Sequence, residues 1–133
     1  MTMEKLAPDN SVGLRFTTVY GPNAREFMFI PKLLNRDVRY VNTNHTRDFI
    51  HVDDICRAII KVMDSDIVGV MDVGTGETNS LIDIVNHVGL KNIEHKVGDE
   101  YERLDNQADI KTLMSIGWQP TIKLFDYLDK HYG

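Results

Sequence analysis

Two runs rich in β-branched and aromatic residues, 12–19 (VGLRFTTV) and 70–73, stand on either side of a segment with helical apolar spacing. That alternation narrows the fold more than any other feature of the sequence. Across 54–63, Ile55, Ala58, Ile59 and Val62 recur at i, i+3, i+4 and i+7, and Asp53 occupies the position expected of an N-cap. A second helix is predicted over 81–88, with Leu81, Ile84, Val85 and Val88 on one face and Gly89 as its stop. Shorter elements fill the gaps. Strands are predicted at 38–41, 49–52 and 93–97, and a helix over 26–34 contains Pro31. Asp109 caps a helix reaching about residue 116 and ended by Gly117, and a last helix over 124–131 turns Leu124, Phe125 and Leu128 inward. Residues 4–7 read as a helix tail stopped by Pro8. Strands alternating with helices define an α/β chain built from crossover units. Two principal strands do not make a doubly wound sheet, because parallel sheets are buried on both faces and flanked by further strands. With no repeat, low-complexity tract or linker, residues 1–133 read as a single domain that is part of a larger architecture.

Charge and composition exclude several classes. Apolar residues make up 42% of the 133 residues and charged ones 26%, as in ordinary globular chains. A net charge of −5 argues against a broad basic face for nucleic acid, although it says little about a single phosphate-gripping pocket. The sole cysteine, Cys56, rules out an internal disulfide and reads as a small core residue in a reducing compartment. No apolar run approaches the ~20 residues that span a bilayer. The opening Met1-Thr2-Met3-Glu4 lacks the basic-then-apolar pattern of a leader, so the expected location is cytoplasmic, with no membrane partner. The histidines at 45, 51, 87, 95 and 131 have no i, i+4 pairing, which gives no indication of a metal site.

Three stretches carry a family resemblance. Leu14-Arg15-Phe16-Thr17-Thr18-Val19-Tyr20-Gly21-Pro22 is similar to L-R-x-x-N-x-Y-G-P, Arg47-Asp48-Phe49-Ile50-His51-Val52-Asp53-Asp54 matches R-D-F-I-H-V-D-D at every position, and Gly117-Trp118-Gln119-Pro120 resembles a G-W-x-P ending before a terminal helix. Asp72-Val73-Gly74-Thr75-Gly76 also resembles N-V-G-T-G. Together they resemble the NAD-dependent epimerases and dehydratases of nucleotide sugars, the extended short-chain dehydrogenase/reductase family. The resemblance implies a partial Rossmann-type unit, the C-terminal part of that fold, with few strands and several short helices. The family's Gly-rich NAD turn and its Tyr-x-x-x-Lys acid/base pair have no counterpart here, and Met3-Glu4-Lys5-Leu6 looks like the continuation of the helix that carries the lysine. The resemblance therefore implies no catalytic residue in this chain and no cofactor for it alone, with NAD or NADP belonging to a complete enzyme.

Carried over residue by residue, the resemblance gives Arg47 contact with the nucleotide's phosphates or ribose, and a guanidinium suits phosphate by forking onto its oxygens. The plainer reading is a surface pair with Asp48. Lys96-Val97-Gly98-Asp99 resembles R-x-G-D, so Lys96 would meet phosphate, without the arginine fork, and Asp99 ribose hydroxyls; a solvated loop is the alternative. Thr18 stands where the family has a substrate-binding Asn, and Arg25 lies in a variable substrate loop. Phe16 and Thr17 would lie near the nicotinamide in a complete enzyme. His51 reads as packed rather than as a base. Gly74-x-Gly76-x-x-Asn79 competes as a dinucleotide turn, although its third glycine is missing and a strand-to-helix turn explains the same residues.

The implied function is the substrate-binding portion of an NAD-dependent nucleotide-sugar epimerase or dehydratase, inactive alone. It would take a nucleotide sugar as ligand, with a Rossmann part or subunit as partner and self-association covering exposed strand edges. Two other readings stay open: a stand-alone nucleotide-sugar-binding module, and a self-associating fragment with no ligand.

Overall fold

The structure is a computed structural model, and it describes residues 11–25, 28–91, 93–96 and 107–132. The readings at residues 4–7, at Val97 and at Asp99 lie outside the described residues. The run 12–19 is not one strand but two: β1 (Val12–Phe16) and β2 (Thr18–Tyr20). The break at Thr17 is a change of partner. The Thr17 amide donates to the Val73 carbonyl at 3.1 Å and the Thr18 amide to the Asp48 carbonyl at 3.0 Å. Successive N–H groups of an extended chain point to opposite edges, so the ribbon passes from one neighbour to another without turning. β1 runs parallel to β6 (Gly69–Val73), from Val12 opposite Gly69 to Phe16 opposite Val73. β2 runs parallel to β5 (Phe49–His51), with Thr18 opposite Phe49.

Further strands sit beside these. β3 (Tyr40–Asn42) pairs in parallel with β8 (Glu94–Lys96), while the two-residue β4 (Thr46–Arg47) and β7 (Asn79–Ser80) pair antiparallel. The last pair was not expected from sequence, because two residues carry no period to read. All parallel ladders join segments separated by helices, which is the α/β crossover arrangement.

The helices are α1 (Phe29–Leu34), α2 (Val52–Met63), α3 (Leu81–Val88), α4 (Lys111–Ser115) and α5 (Leu124–His131). α3 and α5 have the bounds expected of them. The Ser80 hydroxyl caps α3 by accepting the Asp83 amide at 3.1 Å, and Gly89 ends it in the left-handed conformation, φ 75°. α2 corrects the expectation at its start. It begins at Val52, and its cap is His51, whose Nδ1 accepts the Asp53 amide at 3.0 Å. Asp53 is instead an exposed first-turn residue, where its charge suits the helix N-terminus. Asp109 does contribute at α4, accepting the Lys111 amide at 3.2 Å.

Two cores result. One joins α2, α4 and the inner face of the β1–β6 ladder through Ile55, Ala58, Val62, Met71, Leu113 and Trp118. The other joins α1, α3 and α5 to β2, β3 and β5 through Leu33, Val41, Phe49, Ile84 and Leu128. Cys56, expected inside, is exposed. It stands off the Ile55–Ala58–Ile59–Val62 stripe, on the flank with exposed Ile60 and Met63. Among the described residues, the β1–β6 ladder is covered on one face only. On the other, Val70 is 43% exposed and Arg15 forms an ion pair with Asp72 at 3.0 Å.

Candidate functional site

The octamer 47–54 organises the site, chiefly through residues that never reach solvent. Asp48 is fully buried. Its Oδ1 accepts the Thr75 amide at 2.9 Å and the Thr75 hydroxyl at 2.7 Å, and its Oδ2 accepts the amides of Gly76 at 2.9 Å and Ala108 at 3.2 Å. Four donors satisfy a carboxylate that would otherwise be very costly to bury. The surface Arg47–Asp48 pair is thereby overturned, because Asp48 faces inward onto three backbone amides.

This arrangement also decides the Gly74–Gly76 turn. A pyrophosphate seated there would need the amides of Thr75 and Gly76, and both are committed to Asp48. The turn does not fit a dinucleotide. Gly74 is glycine for want of space: a Cβ there would stand 2.6 Å from the Ala108 Cβ and 2.8 Å from both Asp48 Oδ2 and Thr17 Cγ2. Gly76 has φ +79°, which glycine adopts without strain.

Around this anchor lie the residues singled out from sequence. Arg47 is half-buried at the end of β4, opposite Asn79, and its Nη1 donates to the Thr46 carbonyl at 2.7 Å. Thr18 is half-buried at the start of β2, joined to Asp48 through its backbone amide. Thr17 precedes it, with a buried hydroxyl that has no hydrogen-bond partner among the described residues, and Phe16 is 47% exposed at the end of β1. Arg47, Thr18 and Thr17 thus gather on one seam around Asp48. Lys96 stands apart on β8, with its ammonium 4.5 Å from the centre of the Tyr40 ring and 4.0 Å from Glu94. Arg25 is exposed in the loop after β2.

Sequence reasoning missed a cleft between α1 and β3. It has a volume of about 490 Å³ and is lined by Phe29, Lys32, Arg39, Tyr40 and Leu81 among others. Tyr40, half-exposed, joins it to Lys96. An aromatic ring among cations is a sequence signal only when the fold is known to bring 29, 32 and 39–40 together.

At the octamer's other end Asp54, also fully buried, forms an ion pair with Arg57 and accepts the Thr121 amide and hydroxyl and the Ile122 amide, at 3.1–3.3 Å. Trp118 Nε1 donates to the Asp54 carbonyl at 3.0 Å. His51, as expected, is packed: 5% exposed, with Tyr20 and Tyr127 meeting its ring edge-on at 5.3 and 5.2 Å. Burial holds its imidazole below the usual histidine range, against the pull of Asp53 and with the help of His131.

Parallel ladders joined through crossover helices place the chain in the Rossmann-type α/β class. Residues 5–74 match the NAD dependent epimerase/dehydratase family, and the chain belongs to that family. It is 31% identical over 130 residues to a putative UDP-glucose 4-epimerase of Methanocaldococcus jannaschii, matching 84% of this chain and 41% of that protein. Identity to a dTDP-L-rhamnose 4-epimerase of Burkholderia thailandensis is 28%, over 80% of this chain and 34% of that one. Among solved structures, MoeE5 in complex with UDP-glucose and NAD superposes with a TM-score of 0.77 at 27% identity, covering 91% of this chain and 45% of MoeE5. The UDP-glucuronic acid 4-epimerase of Bacillus cereus, in complex with UDP-glucuronic acid and NAD, gives 0.74 at 27% identity, covering 90% and 43%. The chain spans under half the length of these relatives. No helix among the described residues is long and apolar enough to cross a membrane.

Proposed function

We propose that this chain is the nucleotide-sugar-binding portion of an NAD-dependent epimerase or dehydratase, holding a nucleoside diphosphate sugar and inactive alone. The observation that carries the reading is the seam around Asp48. Buried Asp48 fixes the strand that ends in Arg47 through its carboxylate and the backbone of Thr18 through its main-chain carbonyl. A guanidinium held on a rigid base grips phosphate at lower entropic cost than one on a loop. The cleft at Tyr40 offers an aromatic ring for a base, with Arg39 and Lys96 as further cations, and Asp99 and Arg25 complete the proposed contacts. Remote binding energy of this kind aligns the sugar carbon that reacts.

In a complete enzyme NAD would take a hydride from the sugar ring and, once reduced, could give it back, and Phe16 and Thr17 would border it. The open face of the β1–β6 ladder supports a partner for that role: a Rossmann part or subunit packs there, or a second copy of this chain does.

The test is thermal stabilisation by UDP-, GDP- and dTDP-sugars at millimolar concentration, where added stability scales with ligand over its dissociation constant. One of them raises the melting temperature and Arg47→Ala abolishes the rise. A rise unchanged in that variant refutes the assigned anion site. Saturable NAD binding by the chain alone refutes the division of labour, and light scattering that gives a 15.2 kDa monomer refutes self-association.

A further inference from the structure

His51 belongs to two elements at once. Its Nδ1 accepts the Asp53 amide at 3.0 Å, so the neutral ring carries its proton on Nε2 while it caps α2. The same ring packs edge-on against Tyr20 of β2 and Tyr127 of α5, and Tyr127 in turn lies 4.3 Å from the His131 ring. The cap of one helix is the seat of another.

We propose that His51 is a proton-operated latch for α5: taking a proton on Nδ1 withdraws the acceptor that caps α2 and puts a cation where α5 docks, so that acid loosens both helices together. A protonated imidazole has two donors and no acceptor, so the Asp53 amide loses its partner and meets another N–H. The new charge finds little compensation. β2 presents the uncharged Tyr20 phenol, while α5 presents Tyr127, His131, which disfavours a charge on His51, and Asp126, which acts on Tyr20. From α2, the Asp53 carboxylate lies 3.8 Å from Nδ1 but is 71% exposed and screened by water, and Asp54 is engaged by Arg57, Thr121 and Ile122.

The sign follows from linkage. Because burial lowers the folded-state value, the unfolded chain takes the proton first as pH falls through 6.5. The latch is closed above that point, and stability drains away as pH falls toward the folded value.

The single tryptophan reports the event, because Trp118 bonds to the first turn of α2. Its emission is followed in the full chain as pH falls from neutral to about pH 4.5, a window containing the histidine transition. The wild type shows a transition with its midpoint below 6.5. His51→Asn, which keeps a capping oxygen and cannot titrate, lacks it. An identical transition in His51→Asn overturns the proposal. Ring-nitrogen NMR of the wild type decides independently of whether that variant folds. Neutral His51 protonated on Nε2, with a midpoint below 6.5 and loss of Leu128 amide protection through the same step, supports the latch. An Nδ1-protonated neutral ring, or a midpoint at or above 6.5, overturns it.

Discussion

Asp48 and Asp54 lie six residues apart in one octamer, both fully buried, and their charges are met in different ways. Asp54 has a cation, Arg57, whose side chain is 43% exposed and can turn to water if its partner goes. Among the described residues Asp48 meets no cation; its oxygens are met by the amides of Thr75, Gly76 and Ala108 and by the Thr75 hydroxyl. The difference teaches where each acid acts. Asp54 ties α2 to the segment before α5, an attachment between two elements that have their own apolar contacts. Asp48 gathers β2, the turn after β6 and the start of the α4 segment onto one point. Fixed backbone donors cannot swing out to solvent, so their loss is felt in full.

The largest expected effect is therefore at Asp48. Asp48→Ala strands three amides and a hydroxyl and should destabilise by about 4 kcal/mol or more, measured by urea unfolding. Gly74→Ala comes next. It leaves every donor in place but drives a Cβ to within 3 Å of Ala108, Asp48 and Thr17 at once, and should cost about 3 kcal/mol, the top of the usual overpacking range. Asp54→Ala should cost about 2–3 kcal/mol, because the freed Arg57 finds water while the amides of Thr121 and Ile122 are left behind. If Asp54→Ala proves as damaging as Asp48→Ala, the contrast between a cation and a nest of amides is wrong.

The same contrast explains how much could be read from sequence. Helices α3 and α5 were legible at about their observed bounds, because apolar spacing is a local signal and, for α3, so is the glycine that stops it. The octamer was legible as a functional mark, and Arg47 as its cation. What it did not reveal is that its two carboxylates Asp48 and Asp54 are fully buried. Their partners lie 27, 60 and 67 residues away, and nothing local distinguishes a carboxylate that will meet distant amides from one that will face water. Asp53 was read as the cap because aspartate is the commoner capping residue, whereas the imidazole of His51 performs that task two positions earlier. Cys56 was misread as a core residue: it lies off the Ile55–Ala58–Ile59–Val62 stripe, and the structure places it on the exposed flank with Ile60 and Met63.

The smallest effect separates a polar group that is needed from one that is merely buried. Tyr20 is 1% exposed and its hydroxyl has no hydrogen-bond partner among the described residues, unlike the carboxylate oxygens of Asp48 and Asp54. Burial, with Tyr127 and Asp126 nearby, pushes its phenol far above the usual tyrosine range, so it stays protonated throughout the working pH range. A buried donor without an acceptor costs about 1–3 kcal/mol relative to a satisfied one. Tyr20→Phe removes that donor and keeps the ring that packs at 5.0 Å against Tyr127 and 5.3 Å against His51. The variant should match the wild type or exceed it by up to about 1 kcal/mol in urea unfolding. A loss above about 1 kcal/mol would show that the hydroxyl has a partner, most simply a buried water, and that the cluster around His51 is satisfied through it as Asp48 is through amides.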